Sequence, residues 1–172
     1  MGKINLKLPD FNYKNYRWEK EDNVTLQGHA REFEEQNERY RDAGYTPFNS
    51  MYYRAFNVDL EVHNFCETLF PRYSVGIMKQ PPGQTLPVHD DTFYMFAKLN
   101  KIDPRECVRV NIFLEDWQSG HYFEINENSV LHWSKGDAIL IKCNEPHLSG
   151  NMGMTTKYTM QVTGVLNEFK RG

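Results

Sequence analysis

Cysteine is scarce in this chain, and its three residues do not pair by spacing. Cys66, Cys107 and Cys143 stand far apart, and no CxxC motif occurs. That pattern argues against a disulfide framework and against a thiolate zinc site. Three buried thiols in a reducing cytoplasm are the expectation. Long apolar runs are missing as well: no stretch approaches the length needed to span a bilayer. The opening MGKINLKLPDFNY lacks the apolar segment of a secretory signal. The residues after Gly2 do not supply the Ser or Thr that a myristoylation site prefers. An excess of one charge is also absent. Lys and Arg number 20 against 23 Asp and Glu, for a net charge of −3. Nothing in that balance calls for nucleic acid or an anionic membrane as a partner.

Aromatic residues, by contrast, are plentiful. They make up 14% of the chain, including 10 Tyr and 11 Phe. Flat rings suit a pleated surface, so this leans toward β structure. A length of 172 residues suits a single domain with its own core. Two parts can be told apart. Residues 1 to 70 are polar with helical periodicity and read as a helical flank. Residues 71 to 166 carry strand and turn signals and read as the core.

In the flank, Leu26, Ala30, Phe33 and Tyr40 recur near a 3.6-residue period, with Gly44 as a stop. In NVDLEVHNFCETLF, Val58, Val62, Phe65 and Leu69 share a face, and Asn57 can cap the helix. Both helices are expected to cover one side of a sheet. Strands are expected at RYSVGIMKQ, CVRVNIFLED, HYFEIN, AILIKC and KYTMQVTGVL, with PPGQTLP a break and Lys135-Gly136-Asp137 a tight turn. Short strands with regular turns indicate a mainly β fold: a jelly roll or barrel with flanking N-terminal helices.

The chemistry centres on LPVHDDTFY. His89 and Asp91 are two residues apart, and on a strand such side chains leave the same face. An imidazole and a carboxylate can then reach one metal ion. Asp90 would point the other way. A third ligand must come from elsewhere in the chain. His147, in CNEPHLSGN, lies 58 positions on, where a jelly roll can return beside its earlier strand. His132 competes for the same role. Two imidazoles and one carboxylate make the facial triad of non-haem iron oxygenases, with positions open for a co-substrate and O2. Ten residues past His147 come Lys157 and Thr159, on one strand face. An ammonium and a hydroxyl suit a distal carboxylate.

HxD…H followed by a basic residue and then Ser or Thr resembles the Fe(II)/2-oxoglutarate-dependent dioxygenase superfamily. PPGQTLPVHDD, EDWQSGHYFEI, WSKGDAILI, EPHLSGN and YTMQVTG are similar to its small bacterial and phage-borne members, and more loosely to the aspartyl/asparaginyl β-hydroxylase group. The likeness runs from about Tyr73 to Gly164. It implies a double-stranded β-helix, with Fe(II) held by His89, Asp91 and His147 as the catalytic and metal-binding residues. It implies 2-oxoglutarate anchored by Lys157 and Thr159, with O2 as the second co-substrate. Lysine in place of the commoner Arg binds as a point charge rather than a fork. The implied reaction is decarboxylation of 2-oxoglutarate to succinate and CO2, coupled to hydroxylation of a C–H bond.

Arg109 has two readings. It can belong to a solvated strand face, or it can point into the barrel and help hold 2-oxoglutarate, as an Arg does in the β-hydroxylase group. Trp117, Trp133 and Tyr94 read as core or pocket wall, and Tyr94 can hydrogen-bond a bound acid. Two other functions share the same barrel: a cupin-type metal enzyme or isomerase without keto acid, and a non-catalytic barrel that captures a small ligand. The substrate, whether metabolite or protein side chain, has no code in the sequence.

Overall fold

The computed structural model describes residues 3–25 and 31–170, and for residues 31–33 only the backbone. Three strands and two helices occupy the first part: β1 (Ile4–Asn5), β2 (Glu19–Asp22), α1 (Arg31–Asp42), β3 (Met51–Ala55) and α2 (Leu60–Leu69). The second part holds β4 (Tyr73–Gln80), β5 (Gln84–His89), α3 (Tyr94–Asn100), β6 (Cys107–Phe113) and β7 (His121–Ile125). It ends with β8 (Asn128–Val130), β9 (Asp137–Lys142), β10 (His147–Asn151) and β11 (Lys157–Val165). No helix among the described residues is long and apolar enough to cross a membrane.

The strands form two antiparallel sheets, a seven-stranded one in the order β1-β9-β6-β11-β4-β3-β2 and a four-stranded one in the order β5-β10-β7-β8. From β4 onward the chain alternates between them: β4, β6, β9 and β11 lie in the larger sheet, and β5, β7, β8 and β10 in the smaller. That alternation is the double-stranded β-helix. It also brings distant segments side by side, so that the end of β5 faces the start of β10.

Residues 1 to 70 are more than a helical flank. Three of their segments join the larger sheet: β1 pairs with β9, and β3 and β2 extend it beyond β4. The short strand MYYRA was hidden because two helical patterns flank it. In α2, Val62, Cys66 and Leu69 are fully buried. They pack with Val108, Val110, Ile112, Met160 and Val162 on one face of the larger sheet. Burial of each such side chain stabilises by roughly 1.5–3 kcal/mol. The helix starts after Asp59, not Asn57. The Asp59 carboxylate accepts from the Tyr16 hydroxyl at 2.9 Å instead of capping the backbone. In α1, Leu26, Ala30 and the Phe33 side chain of the expected stripe lie outside the described residues. Tyr40 is buried, and its hydroxyl donates to the Val88 carbonyl at 2.9 Å. So α1 leans on β5, while α2 covers the face of the larger sheet together with N-terminal residues such as Leu6, Phe11 and Trp18.

Between the sheets lies a second core of Phe113, Phe123, Ile125, Trp133, Ile139 and Ile141. Phe113 and Trp133 stack with centroids 3.9 Å apart. With apolar layers on both faces, β6 is buried almost end to end, which explains its run of hydrophobic residues.

PPGQTLP breaks the chain only at residues 81–83, and Pro87 sits inside β5. Proline is tolerated there for two reasons. β5 is an edge strand, and the β5–β10 register slips between His147 and Ser149, opposite Pro87. The expected turn at Gly136 is present with φ +89°, and a β-carbon there would meet the Leu6 carbonyl at 2.4 Å. Asp137 closes that turn by accepting from the Ser134 amide at 3.0 Å and pairing with Lys3 at 3.0 Å.

Candidate metal centre

His89 is the last residue of β5 and His147 the first of β10, and the two are register partners in an antiparallel pair. Their rings lie 4.2 Å apart, centroid to centroid. The orientation of each ring is fixed from behind. His89 Nδ1 donates to the Pro87 carbonyl at 2.8 Å, and His147 Nδ1 donates to the Glu145 carbonyl at 2.9 Å. With Nδ1 carrying the proton, each Nε2 presents a lone pair, the arrangement typical of metal-ligating histidines. The slip at Pro87 is what supplies the carbonyl that orients His89.

Asp91 lies past the end of β5, in the segment leading to α3, and not on the strand. Its carboxylate still arrives at the imidazole pair. One donor atom each from His89, Asp91 and His147 falls within 4.8 Å of the others. Asp90 is exposed and takes no part. His132 is exposed too, with its ring against Trp117. His121 is buried against the Thr155 carbonyl, and His63 bonds Tyr73. His29 lies outside the described residues.

Arg109 points into the barrel. The solvated-face reading is therefore wrong: packing on both faces of β6 leaves no wet side. Its guanidinium lies 2.7 Å from Asp91 Oδ2 and over the Phe93 ring at 5.4 Å. Burial pushes the Asp91 carboxyl up, but the Arg109 guanidinium outweighs it, helped by the imidazoles only when they are protonated, and holds the group below its usual range. Burial, assisted by His89, pushes His147 down to about 4, which keeps that imidazole neutral. Asp91 Oδ2 is buried and, despite the nearby guanidinium, has no aligned hydrogen bond among the described residues. Two oriented imidazole lone pairs and one carboxylate held anionic beside them fit a divalent cation.

A small cavity of about 30 Å³ runs inward from the imidazoles. His89, His147, Asn111, Thr159, Lys157 and Ser149 are among its lining residues. Lys157 and Thr159 thus share one cavity with the two histidines. The Lys157 ammonium is buried and donates to the Tyr122 carbonyl at 2.7 Å, to the Gly150 carbonyl at 3.3 Å and to the Ser149 hydroxyl. It makes no ion pair among the described residues, and burial pushes it down to about 7. Ser149 passes the contact on, donating to Gln80 Oε1 at 2.9 Å.

Ser149 and Gln80 were missed from the sequence. Ser149 follows His147 by two residues on β10, the same i, i+2 signal used for His89 and Asp91. Trp133 is core, as expected. Tyr94 is not pocket wall: it is 58% exposed on α3, a short helix that turns it outward.

No protein-family model matches the chain, and no curated protein matches it. Several solved structures have similar backbones. One, described as a predicted oxalate decarboxylase from Thermotoga maritima, is 18% identical, with 68% of this chain and 83% of that chain covered and a TM-score of 0.45. KdgF from a Halomonas species is 11% identical, with 65% and 76% covered and a TM-score of 0.43. An uncharacterized protein with a double-stranded β-helix domain from Klebsiella pneumoniae is 15% identical, with 58% and 73% covered and a TM-score of 0.40.

Proposed function

We propose that this protein is an Fe(II)- and 2-oxoglutarate-dependent oxygenase. The observation that carries the reading is a buried ammonium with no acid of its own, in the same cavity as an oriented pair of imidazoles. A buried cation is costly unless a counter-charge meets it. Lys157 has three neutral oxygens as hydrogen-bond partners and the Trp133 ring 6.0 Å away, but no anion among the described residues, so an incoming carboxylate supplies what the fold withholds. Thr159 lies on the same strand face and adds a hydroxyl donor.

His89, Asp91 and His147 would hold the iron, and Lys157 with Thr159 the far carboxylate of the keto acid. Bound together, iron and 2-oxoglutarate supply O2 activation coupled to decarboxylation, with succinate and CO2 as products and a hydroxylated substrate. The chain's own residues do the positioning. The Pro87 and Glu145 carbonyls hold each Nε2 in place. Arg109 keeps Asp91 ionised. Phe123, Leu86 and Met78 wall the cavity against water. The role expected of Arg109 changes accordingly, from a contact to 2-oxoglutarate to the partner of the metal-binding acid.

A second reading is a metal-dependent cupin enzyme that uses its ion as a Lewis acid without a keto acid. The small cavity favours it, because about 30 Å³ holds a water or two and not a five-carbon diacid. Under the first reading the Lys157–Ser149–Gln80 chain must open to admit its ligand. Anaerobic titration of Fe(II)-loaded protein with 2-oxoglutarate separates the two. A visible charge-transfer band is expected in the wild type and not in Asp91→Ala or His147→Ala. Wild-type protein with no band and no uncoupled succinate would leave the second reading standing.

A further inference from the structure

Asn111 is 2% exposed, yet its amide nitrogen has no hydrogen-bond partner among the described residues. An unsatisfied buried donor is costly and calls for a reason. The side chain is not stranded in apolar packing. It lines the cavity shared by His89, His147, Lys157 and Thr159. The cavity is also apolar on one side, through Met78, Leu86 and Phe123, so the polar groups on its other side are few, and the Asn111 amide is one of them.

Its level in the barrel follows from strand register. Along the inner face of β11 come Lys157, Thr159, Gln161 and Thr163. Phe113 is the register partner of Thr159, Asn111 of Gln161, and Arg109 of Thr163. Arg109 reaches Asp91. Asn111 therefore stands between the carboxylate-binding end and the metal-binding end, one strand repeat of about 7 Å beyond the Thr159 level. A ligand with one end on Lys157 and the other at the imidazoles passes beside it.

We infer that Asn111 donates a hydrogen bond to an oxygen of the bound 2-oxo acid and is a further co-substrate-binding residue of this site. The inference rests on the oxygenase reading. It names a donor that the HxD…H and Lys-x-Thr patterns do not include. The amide can also turn to offer its oxygen, but a carboxylate or keto oxygen accepts and does not donate, so the nitrogen is the useful end. Gln161 is the register partner of Asn111 across the β6–β11 pair.

The test is calorimetric titration of 2-oxoglutarate into Mn(II)-loaded protein, with no turnover required. Wild type, Asn111→Ala and Asn111→Asp are compared, after each variant's Mn(II) affinity and denaturation midpoint are measured. Asn111→Ala should weaken 2-oxoglutarate binding about tenfold or more, the scale of one hydrogen bond to a charged group. Asn111→Asp keeps the shape, loses the donor and places two anions together, so it should bind more weakly still. Mn(II) affinity should be unchanged in both. If Asn111→Ala does not fold, the Asp variant and Asn111→Ser, which retains a donor and should recover part of the affinity, carry the comparison. Wild type that binds 2-oxoglutarate while Asn111→Ala binds it equally well would overturn the inference alone; the amide then bonds only water. Tighter binding by the Asp variant would also overturn it, because the amide would be an acceptor. Wild type that takes up Mn(II) and ignores 2-oxoglutarate removes the oxygenase reading and this inference together.

Discussion

Replacing Lys157 by Met tests whether that buried ammonium awaits an anion. The ammonium of Lys157 is buried, has three neutral acceptors and is pushed down to about 7 from an ordinary value of 10.5. Each unit of that shift corresponds to 1.36 kcal/mol, so holding the charge inside the fold costs about 5 kcal/mol at pH values below 7. Between pH 7 and 10.5 the unfolded chain binds a proton that the folded chain releases, so wild-type stability rises with pH there by up to about 1.4 kcal/mol per unit. Below pH 7 both states are protonated and the slope vanishes. Lys157→Met keeps the volume and lacks the charge. It should be more stable than wild type at pH 6.5, by less than the full 5 kcal/mol because Ser149 and two carbonyls lose a donor. That advantage should shrink steadily toward pH 9.5. Denaturant unfolding at four pH values measures it. 2-Oxoglutarate should act on the same group in the opposite sense: its affinity for wild type should fall with rising pH above 7, and the variant should bind it at least tenfold more weakly. Parallel pH profiles for wild type and Lys157→Met would refute the claim that this lysine is an uncompensated charge awaiting an anion.

Other outcomes are equally open to measurement. Asp91→Asn leaves the Arg109 guanidinium buried without its acid and should cost about 3–5 kcal/mol in urea unfolding; adding Arg109→Met should recover most of that loss, and additive losses would contradict the pairing. Mn(II) at 100 times its Kd should stabilise the wild type by about 2.7 kcal/mol, while His147→Gln should show no such gain in a thermal melt. Gly136→Ala forces a β-carbon at φ +89° against the Leu6 carbonyl and should lower stability by about 2–3 kcal/mol, detaching β1 from β9 in hydrogen exchange.

The sequence made the centre legible because its signals are short-range. His89 and Asp91 are two residues apart, Lys157 and Thr159 likewise, and local spacing survives any fold. The alternating strands were legible for the same reason. What escaped was set by pairing across the sheets. Pro87 hid a strand because the edge position and register slip that tolerate it are set by the sheet order and by pairing with β10, not by the PPGQTLP segment alone. MYYRA gave no sign that it would extend the larger sheet, since its register partners on β4 lie 22 to 26 positions on. Arg109 read equally well as a wet residue, because nothing in CVRVNIF reveals that α2 covers one face of β6 and the smaller sheet the other. Asn111 was visible as a polar residue in an apolar strand, but its missing hydrogen bond is a fact of three dimensions.

β11 enters the larger sheet between β4 and β6, not at its edge. A ribosome making this chain has therefore released both neighbouring strands long before the one that joins them exists. Until residue 165 emerges, two ladders of backbone amides and carbonyls stand open, beside the apolar surfaces that α2 and the smaller sheet will later share. The nascent protein is thus exposed to self-association until β11 is available, and a chaperone that shields β4 and β6 should raise the yield of folded product more than one that acts on the first 70 residues.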